Sequence, residues 1–124
     1  MKPMRLISAL LLALLFLLAM TPSAEAHQPY FEDEDWTPAN AYRVKDPTVS
    51  TALYATLDRR DDVDYVRFTG RAGQSILLGL TIPQIEGQEN FTPTLALIGP
   101  GLPAARLPAH IETLPDTGAS VLRA

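Results

Sequence analysis

Apolar and polar residues follow two patterns along the chain: a continuous apolar run near the N-terminus, and alternation further on. The run covers residues 6–20 and follows the basic residues Lys2 and Arg5; an Ala-Glu-Ala sequence comes next, at residues 24–26. A basic start, an apolar centre and a small-residue site are the three parts of a secretory signal peptide. The run is also shorter than the ~20 residues that a membrane span needs. We therefore predict cleavage after Ala26 and export to the periplasm or the extracellular space. If the signal stayed uncleaved, the protein would be a membrane-anchored structural protein.

Alternation begins after residue 48 and predicts β-strands, because neighbouring side chains of a strand point to opposite faces. In one such stretch Val66 and Phe68 share a face, while Arg67 and Thr69 share the other. The predicted strands are residues 49–57, 63–69, 74–82, 94–98 and, at the end of the chain, 119–123.

The segments between the first three strands are short and contain turn residues. Residues 58–62 include three aspartates, and residues 70–73 include two glycines. Neither is long enough for the crossover that parallel neighbours require, so we predict antiparallel pairing and an all-β sandwich.

The chain divides into four parts on this interpretation. A signal peptide (1–26) precedes an extended acidic and aromatic lead-in without strand or helix (27–47), the sandwich strands (48–101), and a proline-rich C-terminal segment with one further strand (102–124). Four or five strands are few for a sandwich, and we expect it to be incomplete at its C-terminal end.

Charge and cysteine content exclude several classes of protein. Removing Lys2, Arg5 and Glu25 from 10 basic and 14 acidic side chains leaves 8 and 13, a formal charge of −5 on the mature chain. Nucleic-acid binding depends on basic side chains that neutralise phosphates, so we do not expect it. The chain has no cysteine, which excludes disulfides and a lipidated cysteine anchor.

Residues 48–101 contain STALYATLDRRDDVDYVRFTGRAGQSILLGLTIPQ and the later NFTPTLALIGPG. These stretches give a strand, an Asp-rich turn, a D-x-D-Y-x-x-F strand, an A-G turn and an L-x-L strand. This series resembles the first half of the bacterial pre-peptidase C-terminal (PPC) domain family. The resemblance implies a jelly-roll-like β-sandwich that serves as an accessory module of secreted proteins, sometimes binding a polymer or calcium. Two departures are that no protease domain accompanies the motif and that the closing strands are not recognisable after Pro103.

The aspartates of the first turn are a candidate calcium site. Calcium takes six to eight oxygen ligands, which clustered carboxylates and turn carbonyls supply, and residues 32–35 add further acidic donors. The competing interpretation is a solvated acidic turn. Asp64 differs from the other aspartates, because it lies on the same face of the predicted strand as Val66 and Phe68. We predict that it points inward and caps backbone amides of the turn. The candidate ligands are Asp58, Asp61, Asp62 and Asp64.

A second candidate metal site forms only after cleavage. His27 would then offer its free α-amine and its imidazole to copper(II), as in the histidine brace of copper-dependent oxygenases and copper carriers, which this arrangement resembles. His110 is the one other imidazole of the chain. The alternatives are a periplasmic copper-binding protein and a pair of histidines without a metal.

Aromatic residues in the lead-in are candidates for partner binding. They form either a platform for sugars or proteins, or a cover for an open face of the sandwich. These residues are Tyr30, Phe31, Trp36 and Tyr42.

No motif of an enzyme is present. There is no cysteine nucleophile, no Gly-x-Ser-x-Gly sequence and no phosphate-binding glycine loop. The prediction is an exported, non-catalytic β-sandwich module that binds a surface, a polysaccharide or a protein partner, with no cofactor assigned beyond the copper and calcium alternatives.

Overall fold

The structure is a computed structural model of the chain and describes residues 3–19 and 27–123. Within these ranges it contains one helix and six strands. The helix is α1 (Pro3–Ala19), and the strands are β1 (Gln28–Phe31), β2 (Tyr42–Arg43), β3 (Thr51–Tyr54), β4 (Val66–Arg67), β5 (Thr94–Gly99) and β6 (Gly118–Arg123).

Helix α1 lies within the predicted signal peptide. Leucine and alanine, both good helix formers, dominate its 17 residues, and Pro3 occupies the first helical position, where its missing N–H is no loss. Over the described ranges 3–19 and 27–123, no helix has the length and apolar character to cross a membrane. The predicted cleavage site at residues 24–26 lies outside the described residues.

The six strands form three small sheets of two strands each. β1 pairs with β3 and β2 with β4, both in parallel, while β5 and β6 are antiparallel. No clear sandwich of two facing sheets is shown. The prediction that strands dominate the domain is confirmed, although the sheets are smaller than expected.

The predicted antiparallel pairing of the first strands is wrong. β3 and β4 do not pair with each other; each takes a parallel partner from residues 27–47, which we had expected to contain no strand. The physical reason is that parallel strands need a long connection, and residues 32–50 between β1 and β3 supply one. The short turn at residues 58–62 still lies between β3 and β4, but β4 belongs to a different sheet.

The later strands were predicted with mixed success. Residues 94–98 and 119–123 correspond to β5 and β6, which pair along their whole length from Thr94↔Arg123 to Gly99↔Gly118. Residues 74–82, in contrast, form no strand in the structure. Alternation in that stretch indicated a strand, but nothing among the described residues pairs with it.

The buried apolar core is small and lies in two places. Within the described ranges only Trp36 and Ala119 are buried apolar residues, with 4% and 6% of their surface exposed. Trp36 follows β1 and Ala119 lies in β6, where its N–H donates a 2.9 Å hydrogen bond to the carbonyl of Pro103. One apolar centre therefore lies beside the β2–β4 sheet, where Trp36 packs against Tyr42, and the other lies at Ala119 in β6.

Candidate functional site

The functional candidates gather where β1 and β3 end side by side. The parallel register places Phe31 opposite Tyr54, and the N–H of Glu32 donates a 2.8 Å hydrogen bond to the carbonyl of Tyr54. The N–H of Thr56 in turn donates to Oε2 of Glu32 at 2.8 Å. These bonds hold the acidic residues that follow β1 against the chain that follows β3.

Phe31 and Tyr54 form an exposed aromatic pair at this end of the sheet. Their ring centroids are 4.8 Å apart and the rings are nearly parallel, at 16°. Both side chains remain open to solvent, with 69% and 54% of their surface exposed. Sequence analysis identified Phe31 but missed Tyr54, although Tyr54 lies on the polar face of its predicted strand, which was a usable indication that it points outward.

The other three lead-in aromatics pack against one another. Tyr42 lies between Trp36 and Tyr30, with centroid distances of 5.0 Å and 5.1 Å and tilted rings. Burial, followed by the contact with Tyr30, raises the pKa of Tyr42 above its ordinary value. Of the four predicted partner-binding residues, three therefore pack against one another, and Phe31 is the one that belongs to the exposed pair.

An acidic cleft of about 280 Å³ lies beside the aromatic pair. Six carboxylates and one hydroxyl line it, and two of the carboxylates, Asp58 and Asp62, belong to the predicted calcium set. The lining residues are Glu32, Asp33, Glu34, Asp35, Thr56, Asp58 and Asp62. Asp61 is not among them.

Asp62 holds the turn at the edge of the cleft. Its carboxylate accepts hydrogen bonds from the backbone N–H of Asp58, at 2.7 Å, and from its neighbour Val63, at 3.1 Å. Arg59 adds an ion pair at 3.4 Å. The predicted capping role of Asp64 is wrong, because the carboxylate of Asp62 takes these turn amides and Asp64 accepts neither of them.

Asp64 points inward, as its parity predicted, but toward other carboxylates. One oxygen each from Glu32, Asp35 and Asp64 lie within 4.8 Å of one another. The Oδ1 atom of Asp64 is buried and has no hydrogen-bond partner in the described part of the chain.

The crowding of negative charge changes the titration of this group. The pKa of Asp64 is raised from its ordinary 3.8 to about 7, first by burial, then by its contact with the Glu32 carboxyl and by the negative charges of Glu32 and Asp62, and the Trp36 backbone N–H opposes the rise. A carboxyl that burial and like charges force toward its neutral form would lose its proton to solvent when a cation binds among these carboxylates.

The two histidines are not brought into a metal cluster. Nδ1 of His27 lies 2.5 Å from Oγ of Ser50, and both His27 and His110 are exposed. Among residues 3–19 and 27–123, the one group of three or more histidine or carboxylate side chains close enough to share an ion is Glu32, Asp35 and Asp64. The hydrogen bond to Ser50 also occupies the ring nitrogen that a chelate with the α-amine would use.

Comparison with known protein families, with curated proteins and with solved structures finds no match for this chain.

Proposed function

We propose that the protein is an exported, non-catalytic binding module whose strands belong to a jelly-roll-like β-sandwich similar to PPC domains. The D-x-D-Y-x-x-F motif, the strand-rich structure and the signal-like N-terminus support this proposal. The observation that carries it is the acidic–aromatic face, which we define as the stacked pair Phe31 and Tyr54 together with the adjoining acidic cleft.

The chemistry of this face favours a basic segment of a protein partner. The exposed rings accept the aliphatic stems or the charged heads of lysine and arginine, and the carboxylates attract their charge. A neutral polysaccharide would use the rings but would gain little from six carboxylates. Exposed ion pairs contribute only about 0.2–1 kcal/mol each, so a useful affinity requires several basic side chains acting together.

Calorimetry with two peptides tests the proposal. A peptide alternating lysine with glycine should bind, a peptide of equal length with glutamate should not, and the affinity should fall as salt is raised because the contacts are exposed. The F31A/Y54A double variant should weaken binding at least about tenfold, which corresponds to ~1.4 kcal/mol.

A matched pair of charge variants distinguishes binding at the cleft from a general response of the peptide to the net charge of the protein. D33N/E34Q removes two negative charges from the cleft, whereas E86Q/E89Q removes two exposed charges elsewhere. Equal losses from both variants would mean that the peptide responds to net charge alone, and the acidic–aromatic face would then not be the site.

Calcium is a second candidate ligand, favoured by the three carboxylate oxygens within 4.8 Å and by the unpartnered Oδ1 of Asp64. The ligand set differs from the sequence prediction. Glu32 and Asp35 join Asp64, whereas Asp58, Asp61 and Asp62 are not part of this group of carboxylates. Backbone carbonyls and water would have to complete the six to eight oxygens.

Terbium, a luminescent substitute for calcium, tests this second candidate. The Trp36 backbone contacts Asp64, so excitation of the indole should sensitise a bound terbium ion, and calcium should displace it. D64N should abolish the emission and D61N should leave it unchanged. Emission that survives D64N, or that calcium does not reduce, would contradict calcium binding at this group.

A further inference from the structure

Residues 75–84 have the composition of a strand but lack the hydrogen bonds of one. None of their backbone N–H or C=O groups is bonded to any residue that the structure describes. The preceding turn is closed, since the N–H of Gln74 donates a 3.0 Å bond to the carbonyl of Arg71. The chain therefore leaves a defined turn and presents a free row of donors and acceptors, which is a template for pairing with another strand.

The side chains of this stretch are unusually exposed for apolar residues. Leu77 is 97% exposed, and Leu78 and Leu80 are 40% and 37% exposed. Ile76 is partly covered and lies against Gly70. The even-numbered apolar residues are thus only partly covered by the rest of the protein, whereas Leu77 is open to solvent.

The segment carries no charged residue. No charged residue occurs between Arg71 and Glu86, although the rest of the mature sequence is acidic overall. Two copies of an acidic protein repel each other through their charges, so an uncharged segment is a surface on which self-association costs little.

We propose that residues 74–82 pair with the same residues of a second copy of this chain, as antiparallel strands related by a two-fold axis at Leu78. Such an interface is isologous, because each contact occurs twice. Antiparallel pairing brings Arg71 of one copy to the end where Glu86 of the other lies, whereas parallel pairing would place like charges together.

The register centred on Leu78 is also self-complementary in shape. It places Leu78 opposite Leu78 of the second copy and Ile76 opposite Leu80, all on the partly covered face. On the other face it places Leu77 opposite Gly79, where a Cβ would find open space. Leu77, the most exposed leucine of the segment, thus lies opposite a glycine and meets no clashing side chain. Cross-strand pairs between apolar residues, such as Ile76 with Leu80, stabilise a sheet.

Sedimentation velocity on the protein as isolated from expressing cells tests the association. The expected result is a dimer. L78K should shift the equilibrium toward monomer at least about tenfold, since the two-fold axis places the two new like charges directly opposite each other on the partly covered face. L114K is the matched control: Leu114 is also an exposed leucine, at 69%, but lies outside the segment. A monomer, or assemblies larger than a dimer, would overturn the proposal.

Cysteine crosslinking tests the register, and the chain offers a background free of other cysteines. In the proposed register L78C lies on the two-fold axis and should form an intermolecular disulfide. S75C should not, because its two copies would be about 20 Å apart, six residues along the strands, whereas a disulfide needs Cα atoms within ~7 Å. Crosslinking of both variants would indicate a parallel, in-register pairing, and crosslinking of neither would exclude pairing at this segment.

Discussion

The backbone N–H of Asp58 donates a 2.7 Å hydrogen bond to the carboxylate of Asp62, and this bond closes the turn between β3 and β4. The same carboxylate accepts the N–H of Val63. One side chain therefore satisfies two amides at the point where the chain leaves the β1–β3 sheet and enters the β2–β4 sheet, which makes Asp62 a structural residue at the edge of the proposed binding site.

Substitution of Asp62 should destabilise the protein more than substitution of its neighbour. D62A leaves two turn amides without their acceptor, and losing a carboxylate cap of this kind costs about 0.5–2 kcal/mol. The free energy of unfolding, measured with urea, should fall by that amount. D61A is the control, because Asp61 is exposed and the turn amides of Asp58 and Val63 donate to Asp62 instead. Equal effects of the two variants would contradict the capping role.

Stability should decrease as the pH rises from about 4 to about 7, because of Asp64. Its pKa is raised to about 7 in the folded protein from an ordinary 3.8, so the folded state holds a proton that the unfolded state has lost over this range. Unfolding then releases a proton, and the stabilisation that is complete below pH ~4 is lost as the pH passes 7.

The D64N variant should flatten this pH dependence. After allowance for solvent screening of a partly exposed carboxyl, we expect the Asp64-dependent change to be about 1 kcal/mol between pH 4 and pH 8. Thermal unfolding at a series of pH values measures it, with D61N as the matched control. A pH profile that D64N leaves unchanged would show that another group is responsible.

Trp36 should be the residue on which the lead-in strands depend most. It is 4% exposed, it packs against Tyr42, and its carbonyl accepts a 2.7 Å hydrogen bond from the N–H of Tyr65. W36A should cost about 3–5 kcal/mol, because it empties one of the two small apolar centres. W36F should recover much of this loss. Circular dichroism during thermal unfolding gives the comparison, and a W36A protein as stable as wild type would contradict the burial.

Two paired glycines of the β5–β6 hairpin should respond very differently to a methyl group. Gly118 lies so close to the backbone of Leu102 and Pro103 that a Cβ would collide with both carbonyl oxygens, whereas at Gly99 the nearest atom is 3.9 Å away, in the Leu102 side chain. G118A should cost about 1–3 kcal/mol through overpacking, and G99A much less. Chemical denaturation of both variants measures the difference, and similar losses would argue against the close approach at Gly118.

Local sequence determined the elements whose formation needs no distant partner. Residues 3–19, which include most of the apolar run, are helical because these residues favour the helix and its hydrogen bonds are internal. The Asp-rich turn at residues 58–62 closes through its own side chains, and the parity of Asp64 predicted that it points inward. The alternation at 94–98 and 119–123 likewise identified β5 and β6.

Tertiary structure decided which strands pair and which side chains meet. A strand exists only with a partner, and the partner of β3 came from residues that show no alternation, because Gln28–Phe31 is short and contains a proline. That pairing, and not the spacing of the aspartates, brought Glu32 and Asp35 to Asp64 and laid Phe31 on Tyr54. Alternation at residues 74–82 could not reveal the absence of a neighbour, because periodicity records which face a side chain would take and carries no information about what lies beside the backbone.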